Sequence, residues 1–160
     1  MPVRRTTAGA PRESGFTLVE ALVALVILAI GMLGIAALYI EGLRASRAAL
    51  IRTEAVTLAA DLADRIRINR EGGAAYDEAK AADTPNANCL PGGAGCSPEE
   101  MAAHDVRVWL DAIAAALPGG TGIVQWSDPD TSDEIFLYDI EVRWTEAGQG
   151  ALSYTLRVET

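Results

Sequence analysis

The longest apolar stretch of the chain lies near its N-terminus, from Phe16 to Ile40. Within it, the twenty positions from 21 to 40 carry no formal charge. These 25 residues, at about 1.5 Å each in a helix, span more than the roughly 30 Å hydrocarbon core of a bilayer. The pattern therefore predicts a membrane-spanning helix.

Beyond Ile40 the apolar positions become periodic and charged residues fill the positions between them. Steps of three and four residues separate the apolar positions, which places them on one face of a helix. We therefore predict one continuous helix from about Phe16 to Asn69, whose second half packs on a small domain. The apolar face comprises Ile51, Ala55, Leu58, Leu62 and Ile66.

Residues 70 to 97 are rich in Gly, Pro and Asn, which predicts a loop. The loop ends at Ser97, where Ser-Pro-Glu-Glu has the pattern of a capping box with proline at the first helical position. A helix is therefore expected from there to Leu117, where Pro-Gly-Gly follows. Its expected buried face comprises Val106, Trp109, Leu110, Ile113 and Leu117.

The last forty residues have the two-residue period of half-buried strands. One short run covers Ile123 to Trp126, and two longer alternating runs follow it. Gly148 and Gly150 between the longer runs favour a hairpin. The expected fold class is α+β, with a long N-terminal helix packed on a small antiparallel sheet of three or four strands. The alternating apolar positions are Ile140, Val142, Trp144, Leu152, Tyr154, Leu156 and Val158.

The charge of the chain is strongly acidic, with a formal net charge of −9. The first fifteen residues carry +2, so the remainder carries −11. Nucleic-acid binding needs clustered Lys and Arg to neutralise phosphates, and no basic stripe is present. We therefore do not expect a nucleic-acid partner.

The residues available for catalysis or metal binding are few. His104 is the only histidine, and no Gly-x-Ser-x-Gly motif or phosphate-binding glycine pattern accompanies it. Cys89 and Cys96 are the only cysteines, too few for a zinc site. If the apolar segment exports the body from the cytoplasm, a disulfide between them is expected. We predict no enzymatic activity, no metal and no cofactor.

The segment from Asp128 to Glu134 is the one cluster of acidic residues that suggests a cation. Asp128, Asp130 and Glu134 offer oxygen ligands for Ca²⁺, but the glycine of an EF-hand loop is missing and Pro129 stiffens the start. A solvated turn between strands is the favoured interpretation.

Glu20 is the unusual residue of the apolar stretch. A carboxylate in a membrane helix costs roughly 2.5 to 3.5 kcal/mol, so it needs a partner or a function. One interpretation places Glu20 at the level of the lipid headgroups. The other supposes cleavage between Gly15 and Phe16, which creates an α-amino group four residues before Glu20. The amine of a neighbouring subunit then pairs with the carboxylate and fixes the register of assembly.

Other N-terminal signals fit the sequence less well. A secretory signal peptide has an apolar core of about 7 to 15 residues, shorter than this one. A lipoprotein signal needs a cysteine just after the apolar run, and none is there. Polar Thr6 and Thr7 follow the Arg4-Arg5 pair, so the arginines are interpreted as positive flanking charge, which favours a cytoplasmic N-terminus.

The stretch Glu13-Ser-Gly-Phe-Thr-Leu-Val-Glu20 resembles the class III signal of type IV prepilins and pseudopilins. The resemblance implies that prepilin peptidase removes a short leader after Gly15. It also implies that Phe16 becomes an N-methylated N-terminus and that Glu20 guides assembly.

Further segments resemble PilV-type minor pilins, the type IV pilus modification proteins. They are Asp61 to Asn69, the Cys89 to Cys96 loop, Ser97 to Asp105 with Trp109, and Leu117 to Gly120.

This resemblance implies four regions: a leader (1–15), a transmembrane and assembly helix (16–40), an amphipathic continuation (41–69) and a periplasmic body (70–160). The expected protein is a minor pilin precursor, anchored in the lipid of the bacterial inner membrane and then incorporated into a type IV pilus. Its expected partners are prepilin peptidase and other major and minor pilins.

Two alternatives to a minor pilin stay open at the level of sequence. A type II secretion pseudopilin shares the processing signal and the fold. A single-span membrane protein with a periplasmic binding domain shares the apolar helix but keeps its leader.

Overall fold

A computed structural model describes residues 15–78, 81–128 and 135–160 of the chain. Its first element is helix α1, Leu18–Ile68, which confirms the predicted continuous helix. The chain divides into two compact units, the first ending at Arg44 and the second comprising Ala45–Thr160. Among the described residues, α1 is the one helix long and apolar enough to cross a membrane, and none of its most apolar stretch is buried in the chain.

Within the second unit, α1 contributes a stripe of mostly small side chains to the core. Three of these side chains are alanines and two are larger, and all five are fully buried. Ile51 and Leu58, which the periodicity also places on this face, are only half-buried against the core. Small side chains allow neighbouring elements to approach the helix backbone closely, so alanine here is a packing residue. The buried residues are Ala55, Ala59, Leu62, Ala63 and Ile66.

Helix α2, Pro98–Ala116, begins and ends where the sequence predicts. The Ser97 side chain accepts a hydrogen bond from the Glu100 N–H, and the Glu100 carboxylate accepts one from the Ser97 N–H. This reciprocal pair satisfies two backbone donors at the start of the helix. At the other end, the Leu117 N–H bonds the carbonyl of Ile113, and Gly119 follows with a φ of 62°.

Three strands form an antiparallel sheet in the order β1-β2-β3: β1 is Thr121–Ser127, β2 is Leu137–Glu146 and β3 is Gly150–Glu159. The β2–β3 hairpin confirms the prediction, as does the three-stranded count within the described residues. Alternate residues of β2 are buried, and they belong to the same core as the buried residues of α1 and α2. The arrangement is the expected α+β fold, a long apolar helix with a small antiparallel sheet.

The prediction of a plain loop from 70 to 97 is wrong for its first part. Residues Arg70–Tyr76 form a 3-10 segment kinked at Gly73, and Tyr76 is fully buried. The Tyr76 hydroxyl bonds the carbonyl of Arg65 and lies 3.2 Å from a carboxylate oxygen of Asp105. A side chain at position 72 would lie within 2.9 Å of Ala102 and Tyr76, so glycine is required there by packing.

Candidate functional site

The predicted processing site lies just before the start of α1. Gly15, Phe16 and Thr17 have no regular secondary structure, and Phe16 is exposed. A Cβ atom built on Gly15 meets no described atom within 4 Å. Packing of the described residues therefore does not require glycine at this position.

Thr17 acts as the N-cap of α1. Its hydroxyl oxygen accepts a hydrogen bond from the Glu20 N–H at 3.3 Å, and its carbonyl accepts one from the Ala21 N–H. The Thr-x-x-Glu spacing is that of a capping box, a local signal that the sequence itself contains. Glu20 thus occupies the third helical position, where a negative side chain also interacts favourably with the helix dipole.

The Glu20 carboxylate is solvent-exposed and has no cationic partner in the part of the chain that the structure describes. Among the ion pairs of the described residues, none involves Glu20. The next basic residue along α1 is Arg44, which pairs with Glu41 at 3.5 Å. Helix geometry places Arg44 about 36 Å further along the axis than Glu20. The chain itself therefore supplies no counter-charge for this carboxylate within the helix.

The predicted disulfide is present between Cys89 and Cys96. It closes an exposed loop that starts where the 3-10 turn Ala87–Cys89 ends. The segment just before the loop contacts α2 through buried His104, whose Nδ1 accepts a hydrogen bond from the Asn86 N–H at 2.8 Å. His104 therefore has a structural partner in the segment that leads into this loop.

A charged pair links the β2–β3 turn to α1 within the second unit. The Arg52 guanidinium donates to both carboxylate oxygens of Glu146 at 3.0 Å and to the Gln149 side chain at 3.1 Å. The Trp144 indole N–H also donates to Glu146. The hydrogen bond from Arg52 lowers the pKa of Glu146 below its ordinary value of 4.5, against the opposing effect of desolvation.

A second polar network surrounds Asp105 on α2. The Arg65 guanidinium donates to Asp105 at 2.8 Å and to Asp61 at 3.0 Å, and Tyr76 approaches the other oxygen of Asp105. Desolvation is the largest cause of the raised pKa of Tyr76. Each group has a partner within the core, which is the arrangement expected of structural buried polar residues.

The acidic cluster considered for Ca²⁺ falls partly outside the described residues. Asp128 is exposed directly after β1, whereas Asp130 and Glu134 lie in the segment that the structure does not describe. The choice between a solvated turn and a cation site at these residues stays a prediction.

Comparisons with known proteins cover most of the N-terminal two thirds of the chain. Residues 10–36 match a family model described as the prokaryotic N-terminal methylation motif. Residues 37–107 match a second family model, Tt1218-like, described as type IV pilin Tt1218. No significant match was found among curated proteins or solved structures.

Proposed function

We infer that this chain, which is a type IV pilin-like protein, is the precursor of a minor pilin. The two matched segments support a pilin precursor of a pilus or pseudopilus system, and the methylation motif implies prepilin peptidase and other pilins as partners. The apolar helix is consistent with a membrane-anchored subunit that can enter a filament. The proposed role is structural and non-enzymatic.

The proposed processing step is hydrolysis of the peptide bond between Gly15 and Phe16, followed by methylation of the new amine. Gly15 precedes the start of α1, and a Cβ atom built on it meets no described atom within 4 Å, so packing of the described residues places no constraint on this position. Cleavage removes a leader of charge +2 and leaves an amine four residues before Glu20. The anchored precursor is proposed to lie in the inner membrane with its N-terminus in the cytoplasm.

The observation that carries the proposal is that Glu20, at the first turn of an uncharged apolar stretch, has no ion-pair partner among the described residues. When apolar helices bury one another in a filament, a carboxylate without a cation is strongly unfavourable. The methylated amine of a neighbouring subunit's Phe16 is a cation of the required charge. Its pairing with Glu20 would fix the axial step between subunits, while burial of apolar surface drives association.

The Thr17 cap provides a way to separate two roles of Glu20. Glu20→Gln keeps the capping-box pattern but removes the charge, whereas Glu20→Ala removes both. Both variants are expected to reach the membrane in normal amounts. Their amount in sheared filaments is expected to fall about tenfold or more, because an ion pair in an apolar setting is lost. Immunoblots of membranes and of purified filaments measure both quantities.

The matched control is Glu41→Gln, which removes the same charge from an exposed position of the same helix. Normal incorporation is expected for this variant. If Glu20→Gln also enters filaments normally while Glu20→Ala does not, Glu20 serves the helix start rather than a neighbour's amine.

The cleavage site is tested by mass spectrometry of the N-terminal peptide from membranes and filaments. We expect an N-methylated Phe16 in the wild type and an uncleaved leader in Gly15→Val. Packing of the described residues accommodates a side chain at position 15, so misfolding would not explain a loss of cleavage. Gly31→Ala is the control, because a Cβ at Gly31 also meets nothing within 4 Å. An intact Met1 in mature wild-type material would favour a tethered membrane protein, and recovery only in a secretion pseudopilus would favour a pseudopilin.

A further inference from the structure

The two outer edges of the sheet differ in how their backbone groups are satisfied. At the β1 edge, the Val124 N–H donates to the Glu78 carboxylate at 2.6 Å, and the Trp126 N–H lies 3.5 Å from the Asp77 carboxylate. Two successive outward N–H groups of β1 are thus directed at acceptors on the chain's own side chains. This covering is a common means of preventing strand addition at a sheet edge.

The β3 edge has no such cover among the described residues. The backbone N–H of Phe136 donates to the Thr160 carbonyl, and the N–H of Thr160 donates to the Phe136 carbonyl. Counting back from Thr160, every second residue of β3 therefore directs its N–H and C=O groups toward β2. The residues between them direct their N–H and C=O groups away from the sheet, and no hydrogen bond within the described part of the chain satisfies these groups. They are Ala151, Ser153, Thr155, Arg157 and Glu159.

The core is also incompletely covered at this edge. On the inner face of the sheet, Ile140 and Val142 of β2 are fully buried, whereas their partners Leu156 and Tyr154 on β3 are only half-buried. An added strand with apolar residues on its inner face would cover these side chains. The edge therefore offers both unsatisfied backbone groups and apolar surface.

We propose that the β3 edge binds the β3 edge of a second copy of this chain, antiparallel and centred on Thr155. In this pairing residues 151 to 159 of the two copies overlap. On the outer face Arg157 lies opposite Ser153, and Glu159 lies opposite Ala151, so no like charges face each other directly.

The same pairing places apolar residues opposite apolar residues on the inner face. Leu152 lies opposite Val158, and Tyr154 lies opposite Leu156. The strand is thus complementary to itself on both faces, which selects a second copy as the occupant. The contact goes beyond the proposed function, because it joins the bodies of two subunits in the membrane whether or not the chain enters a filament.

The test uses cysteine cross-linking of the full-length chain in membranes. The two native cysteines are bonded to each other, so an introduced cysteine is the free thiol of the chain. In the proposed pair the two copies of residue 155 lie opposite each other at about 5.5 Å between Cα atoms, within the range of a disulfide. Thr155→Cys is therefore expected to give a covalent dimer under mild oxidation.

Arg157→Cys is the matched control, on the same strand and the same exposed face. Its two copies are offset by four residues, or roughly 14 Å along the strand, so no direct disulfide is expected. Co-expression of Ser153→Cys and Arg157→Cys chains is expected to restore the cross-link. Equal dimer formation by Thr155→Cys and Arg157→Cys alone would overturn the proposal.

A second variant tests the backbone contact itself. Thr155→Pro removes an N–H that faces away from β2, so the intramolecular hairpin is preserved while the proposed pairing loses a donor. Added to the Ser153→Cys and Arg157→Cys pair, it is expected to reduce the cross-link at least fivefold, whereas Thr155→Ala leaves it unchanged. An undiminished cross-link in the proline variant would refute strand pairing.

These experiments are done in a host without pilus genes, so their failure leaves the role of Glu20 untouched. The Thr155→Cys cross-link is then repeated in the pilus-forming host and the partner is identified by mass spectrometry. The same chain on both sides of the disulfide supports the proposal, and a different pilin as the sole partner overturns it.

Discussion

Gly122 on β1 packs directly against the indole of Trp109 on α2. A Cβ atom built on Gly122 would lie 2.5 Å from the Trp109 Cη2 atom and 2.8 Å from the Ile113 Cδ1 atom. Both neighbours are almost completely buried. Trp109 is also fixed at its other side, where its indole N–H donates to the Leu58 carbonyl at 2.9 Å.

Gly122→Ala therefore forces the indole to move or the strand to shift. An extra methyl group in a well-packed core costs typically about 1 to 3 kcal/mol. Displacement of the indole also weakens the bond to Leu58, which contributes about 1 kcal/mol. We expect the free energy of unfolding to fall by about 2 to 3 kcal/mol.

The measurement is urea unfolding of the full chain in detergent micelles, followed by tryptophan fluorescence and near-ultraviolet circular dichroism. Trp109→Phe removes the clashing ring atoms and leaves space for the new methyl group, so the double variant completes a mutant cycle. We expect the double variant to lose less free energy of unfolding than the two single variants lose together, by about 1 kcal/mol or more. Additive losses, or a Gly122→Ala variant within about 0.5 kcal/mol of wild type, would refute the packing argument.

Three further predictions concern the body. Replacing Cys89 and Cys96 by serine should lower the free energy of unfolding by about 2.5 kcal/mol, because the closed loop is short, and a complete loss of folding would contradict this estimate. Since the pKa of Glu146 is lowered, its contribution to stability is present above pH 4.5 and is lost as the pH falls through the folded-state value. The gap in melting temperature between wild type and Glu146→Gln should therefore narrow below pH 4.5, and a constant gap from pH 7 to roughly pH 3 would exclude this linkage. Ser97→Ala should cost about 1 kcal/mol in urea unfolding through the lost cap of α2, whereas Ser97→Asp should retain most of the stability.

The helices and strands could be predicted from local patterns in the sequence. The alternation around Ile140 and Val142 and the capping box at Ser97 each depend on residues close together in the chain. The core role of Ala59 and Ala63 was not predictable in this way, because alanine is common on both faces of a helix. The glycine at position 122 is required by Trp109 on another element, and no local pattern encodes that contact.

Among the site residues, those in a local motif were predictable from the sequence, and those that depend on contacts between distant residues were not. Gly15, Phe16 and Glu20 stand out because their order and spacing form a recognisable motif. The Thr17 cap also has a local sequence signal, the spacing of Thr17 and Glu20. The Arg52 to Glu146 pair joins residues 94 positions apart, so only the folded chain brings it into view.

The carboxylates of Glu78 and Asp77 along β1 have a consequence for how far association can proceed. A sheet with one available edge reaches saturation once two copies have joined, because the dimer presents no further template. A sheet with two available edges has no such limit and can lengthen into ribbons. If the β3 edges pair as proposed, these acceptors along β1 limit association through the sheet to two copies, and larger assemblies then need contacts outside the sheet.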